Sequence, residues 1–139
     1  MITSFRGEYR FLSNFYHSPV DGYHTVEHAY QAAKTLNPDI REDIKNLSTP
    51  GAAKRAGKGL VLREDWESVK VEVMRDLLYK KFSDPILKIK LLGTGDQKLI
   101  EGNTWGDKIW GAVWDGSGWV GTNLLGNLLM EVREHYRNE

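Results

Sequence analysis

The sequence predicts an α+β fold: a compact, predominantly helical single domain over residues 1–139 with a small β-sheet or hairpin. Three observations carry this expectation. Apolar residues recur at spacings of three and four in several segments that end in turn residues, which marks amphipathic helices. Shorter aromatic-rich segments flank the turn dipeptides Asp21-Gly22 and Asp115-Gly116, as strands flank a hairpin turn. No internal repeat and no Pro/Gly/Ser linker divides the chain, and a chain of this length buries roughly 65 to 70% of its unfolded surface in one core.

The elements follow in order. ITSFRGEYRF alternates loosely and predicts a short strand; PVDGYH, with its Asp-Gly turn, predicts a second, and FLSNFY between them reads as a loop. Val26, Ala29, Tyr30 and Ala33 form the apolar stripe of a helix that Thr25 caps and Asn37-Pro38 stops. DIREDIKNLS reads as a short polar helix. STPGAAKRAGKGL reads as another, opened by Thr49-Pro50, because the fixed φ of proline suits a first helical turn. DWESVKVEVMRDLLYKKF predicts a long half-buried helix with Trp66, Val69, Val73 and Leu77 on one face. DPILKIKLLGTG predicts a helix ended by Gly93, and KLIEGN a short strand. IWGAVW-DGSG-WVG reads as a hairpin. GTNLLGNLLMEVREHYRN closes the chain as a helix that buries Leu125, Leu128, Leu129, Val132 and Tyr136.

Composition removes several function classes. The 19 basic and 19 acidic residues cancel, so the basic footprint of a protein that grips long nucleic acid by its phosphates is missing. With no cysteine, disulfides, thiolate metal sites and thiol nucleophiles are excluded. The start MITSFRGEYRF has no basic-then-apolar leader and no apolar run approaches a membrane span; the expectation is a cytoplasmic protein without membrane contact. His17, His24, His28 and His135 form no HExxH pattern, so no metal is expected, and no phosphate-binding loop or nucleophile elbow occurs.

Three groups of residues are candidates for chemistry. Glu27, Gln31 and Lys34 lie four and three apart and share one helix face; they are either one wall of a polar pocket or a solvated surface. The helix dipole favours a negative charge in the first turn, where Glu27 sits, so an anion is available there to face a developing cation. In FLSNFY, Ser13 and Asn14 stand among Phe11, Phe15 and Tyr16. They either close a turn over a core plug or offer hydrogen bonds and a ring to a ligand. Residues 103–121 hold Trp105, Trp110, Trp114 and Trp119 among glycines, with Asp107 between the first two. Some of these rings are expected to pack, and others to stack on a planar heterocycle.

Together these pieces resemble one family. FLSNFY, TVEHAYQAAK, TPGAAK, DWESVKVEVM, LLGTGDQKLIEGN, WGDKIWG and NLLGNLLMEVR occur in the order and spacing of the NADAR domain, from Phe11 to about Arg133. The resemblance implies a compact, largely helical α+β domain acting as an N-glycosidase without cofactor. It would hydrolyse the bond between ribose C1′ and a nitrogen, in ADP-ribose attached to guanine or in phosphorylated ribosylaminopyrimidine intermediates of riboflavin synthesis. The partners implied are a small-molecule or nucleotide substrate and ADP-ribosylated DNA or RNA; oligomeric state is not readable.

Carried over by motif, Glu27 is the key acid, and WGDKIWG supplies Asp107 and Trp110 to the same pocket. Val26 stands where the family often has a small polar residue. Asp107 is expected to guide water or donate a proton, and Lys34 to hold phosphate or to attack C1′ as an amine nucleophile. Substrate-binding candidates are Ser13, Asn14, Phe15, Tyr16, Gln31, Trp105, Trp110, Asn123 at the start of NLLGNLLMEVR, and Arg6, a phosphate partner or an ordinary surface charge. A non-catalytic reader of ADP-ribose or NAD-like ligands is the alternative, and a partner-binding domain with tryptophans at an interface is a third.

Overall fold

The computed structural model describes all residues, Met1–Glu139. Six α-helices dominate, and the sheet is one two-stranded antiparallel hairpin, as the α+β expectation requires. The chain forms two compact units, Asn14–Lys81 on one hand and Met1–Ser13 with Phe82–Glu139 on the other.

Four helices build the Asn14–Lys81 unit: α1 (Val26–Ala33), α2 (Pro38–Lys45), α3 (Pro50–Lys58) and α4 (Trp66–Lys81). Each of the first three begins where a side chain caps it. Thr25 Oγ1 accepts from the His28 amide, Asn37 Oδ1 from those of Asp39 and Ile40, and Thr49 Oγ1 from that of Ala52. Proline occupies the first turn of α2 and α3, where its missing N–H has no intrahelical partner to lose. Helix α1 packs against α2, α3 and α4. Ala32, Ile44 and Ala53 form the buried junction of the first three helices, and the Tyr30 and Trp66 rings meet 5.2 Å apart between α1 and α4.

His28 is fully buried and is a structural tie. Its Nε2 lies 3.0 Å from the Leu47 carbonyl, which only accepts, so Nε2 carries a proton. In the neutral ring Nδ1 then accepts from the Thr25 hydroxyl at 2.8 Å.

In the other unit, α5 (Pro85–Leu92) is capped by Asp84 and ended by Gly93, and α6 (Leu124–Arg137) packs on it. Leu125, Leu128, Leu129 and Val132 are buried, whereas Tyr136 is only partly so. Strands β1 (Val113–Trp114) and β2 (Trp119–Val120) pair across Asp115–Gly118. Asp115 Oδ1 closes that turn by accepting from the Ser117 and Gly118 amides and the Ser117 hydroxyl, bonds that hold its carboxyl below the usual range.

Local readings need correction. ITSFRGEYRF is not a strand: only Ile2 bridges, to Leu99, and Gly7–Leu12 is a 3-10 helix. Gly7, at φ +58°, turns the chain out of the extended path, and the following carbonyls find partners three residues on. PVDGYH is reduced to a single Val20–Tyr23 bridge across a two-residue turn, with Asp21 and Gly22 both at positive φ. KLIEGN likewise contributes only isolated bridges, Leu99 with Ile2 and Gly102 with Ala112. On α4 the deeply buried residues are Trp66, Met74, Leu77, Leu78 and Lys81, while Val69 and Val73 stay partly exposed.

Candidate active site

Helix α1 carries Glu27 and Gln31 on one face, with Lys34 at its C-cap, and the first two are not solvated as a plain surface face would be. Glu27 and Gln31 are buried. Gln31 Nε2 donates to Glu27 Oε1 at 2.8 Å, a side-chain bond to an anion shielded from water. Asn14 touches the same place through its backbone, its carbonyl accepting from the Glu27 amide at 3.1 Å. Its side chain reaches α4, where Nδ2 lies 3.6 Å from Met74 Sδ.

Lys34 is half-buried at the end of α1. Burial pushes its ammonium below the ordinary lysine range; the Glu27 carboxylate opposes that shift, and Lys54 and Lys58 on α3 reinforce it. The arrangement therefore pairs a held carboxylate with an amine whose free base is more accessible than an ordinary lysine's. The like charges of Lys54 and Lys58 felt at Lys34 also suit an anionic ligand. The helix pattern of TPGAAKRAGK was legible, but no local spacing pointed to Lys54 and Lys58 as neighbours of Lys34.

In FLSNFY, Phe11 is buried, Phe15 is exposed and Tyr16 is partly buried with the Lys81 ammonium 5.7 Å from its ring centre. Phe15 is thus a surface-exposed ring rather than a core plug.

Arg6, Ser13, Trp105, Asp107, Trp110 and Asn123 belong to the other unit. Arg6 is exposed just before the 3-10 helix, and the Ser13 amide ends that helix on the Arg10 carbonyl. Asp107 is tied on three sides. Its Oδ1 accepts from the Ile109 and Trp110 amides at 3.0 Å each, its amide donates to Asn103 Oδ1, and its carbonyl accepts from Asn103 Nδ2. Asn123 is buried with a left-handed backbone, its Oδ1 accepting from the Glu101 amide and its Nδ2 donating to the Leu99 carbonyl.

The tryptophans divide. Trp119 packs beside Gly102, where a Cβ would meet its ring at 2.9 Å, and Trp114 stands edge-on to it at 5.4 Å with half its surface exposed. Trp105 is exposed and Trp110 partly buried.

The family model for the NADAR domain matches residues 4–137, which spans both units. The chain belongs to the NADAR family. It is 44% identical over 134 residues to N-glycosidase YbiA of Escherichia coli (strain K12), covering 91% of this chain and 81% of that protein. It is 41% identical over 122 residues to riboflavin biosynthesis protein PYRR, chloroplastic, of Zea mays, a match covering 78% of this chain and 19% of that one. The NMR structure of E. coli YbiA superposes with a TM-score of 0.81 at 41% identity, over 99% of this chain and 85% of the other. The mostly helical NADAR architecture with its small sheet is therefore shared with a solved relative.

Proposed function

We propose that this chain, a hydrolase of N-glycosyl bonds, cleaves ribose C1′ from a nitrogen of a flat base, with Glu27 facing the charge that develops at C1′. The observation that carries this is the buried Glu27–Gln31 bond on α1 beside Lys34. As the C–N bond lengthens, its electron pair moves to the base nitrogen and the ribose ring becomes cationic. A carboxylate already oriented in a dry place meets that charge without reorganising.

Lys34 offers a covalent variant of the same reaction. The ribose ring opens to an imine at C1′, the Lys34 amine adds there, and the base nitrogen leaves with the C–N pair and a proton. The Lys34 Schiff base that remains is hydrolysed by water, which returns the amine. By motif, Asp107 guides water or protonates the departing base, and Trp110 stacks on it. Ser13, Asn14, Phe15, Tyr16, Trp105, Asn123 and Arg6 are assigned to substrate binding on the same motif grounds.

The substrates proposed are ADP-ribose linked to guanine in nucleic acid and phosphorylated ribosylaminopyrimidines. Lys34, Lys54 and Lys58 fit the phosphates of either, and similarity to a protein named for riboflavin biosynthesis favours the second. The test offers an ADP-ribosylated guanine oligonucleotide and a ribosylaminopyrimidine phosphate in parallel and follows base release by chromatography. Release from one of them supports the reading; binding of both without release leaves a reader module in its place.

A further inference from the structure

Gly57 lies on the buried side of α3, near its end. Glycine is among the poorest helix formers, so its presence inside a helix calls for a packing reason. A Cβ at position 57 would stand 1.7 Å from Gln31 Oε1 and 2.5 Å from Gln31 Cδ. Gln31 has little room to yield, being 5% exposed with Nε2 bonded to Glu27 Oε1 at 2.8 Å.

The orientation of that amide is dictated by its neighbours. Turned over, it would set two oxygens against each other at the same 2.8 Å. Gln31 Oε1 is itself buried with no hydrogen-bond partner, so no bond anchors it on the side where the bare Gly57 backbone faces it.

We propose that Gly57 is a positioning residue for the hydrolytic reaction: its missing side chain leaves the space that lets Gln31 hold the Glu27 carboxylate in working orientation. Gly57 acts through Gln31 and touches no reacting atom. The inference rests on the reading that Glu27 carries the reaction.

A double-mutant cycle tests it, with kcat, KM and the thermal midpoint measured for Gly57→Ala, Gln31→Ala and the pair, using the substrate whose base the wild type releases. Gly57→Ala lowers kcat by about 10- to 100-fold while KM moves much less, because a displacement near 1 Å is enough to misplace the carboxylate. In the Gln31→Ala background the same substitution leaves kcat within about twofold and raises the midpoint, since the collision is gone and alanine favours the helix. Wild-type kcat in Gly57→Ala, or a penalty undiminished in the Gln31→Ala background, overturns the inference. Should Gly57→Ala alone not fold, the pair decides: folding of the pair supports Gln31 as the group displaced, and its failure contradicts it. Glu27→Gln in the same assay separates the two claims. A wild-type rate there removes the functional reading and this inference together, whereas an inactive Glu27→Gln beside a fully active Gly57→Ala removes this inference alone.

Discussion

Helix α1 and the glycine-rich segment from Asn103 to Asn123 use their polar side chains in opposite ways. On α1 the buried Gln31 side chain bonds the Glu27 carboxylate, on a helix whose backbone bonds are already made, while His28 is spent on a backbone carbonyl, that of Leu47. In the segment, Asn103, Asp107, Asp115 and Asn123 bond backbone instead, because a chain without regular structure leaves amides and carbonyls that need partners. A regular element frees polar side chains for chemistry. An irregular one commits them to its own shape, and what it presents outward is rings, Trp105 and Trp114 among them.

The sharpest way to break that contrast is at Lys34. Reductive trapping with borohydride and free ADP-ribose yields a covalent adduct on the wild type and none on Lys34→Ala, read by mass spectrometry; equal adduct on both withdraws the covalent variant. The trapping yield rises with pH below the ordinary lysine range, because burial has moved the free amine downward. Lys54→Ala removes a neighbouring ammonium that also lowers it, so its curve moves to higher pH. The same depression fixes the sign for stability. The buried ammonium destabilises the fold fully below the folded pKa, and that penalty is relieved as pH climbs toward the unfolded lysine value.

Asp107 is where the two uses meet. Asp107→Asn keeps an acceptor for the Ile109 and Trp110 amides and should fold normally, yet it loses about 100-fold in rate if the carboxylate handles a proton. Asp107→Ala additionally destabilises by about 1 to 2 kcal/mol through the lost amide partners. Full activity in Asp107→Asn would make the residue purely architectural. Asn123→Ala shows the architectural limit: it should lower stability by about 2 to 4 kcal/mol in urea, since the buried Leu99 carbonyl and the partly buried Glu101 amide lose partners. Asn123→Gly should fall about 1 kcal/mol less, because glycine accepts the left-handed φ of 54°.

Local pattern made the helices legible. Thr25, Pro50, Asp84 and Gly93 all mark helix ends as their chemistry dictates, and Asp115-Gly116 sits in the hairpin turn. The short strands were not legible, since alternation in ITSFRGEYRF says nothing about whether a partner strand exists, and Gly7 diverts the chain first. Glu27, Gln31 and Lys34 share a helix face by spacing alone. Their burial, and the approach of Lys54, Lys58 and Gly57, depend on how α3 packs on α1, which no local spacing encodes.

Base release by wild type and Glu27→Gln, measured beside their thermal midpoints, tests the central claim most directly. The account predicts a loss of at least about 1000-fold in rate, with the midpoint and substrate affinity nearly unchanged. A Glu27→Gln protein that releases base at the wild-type rate would contradict it.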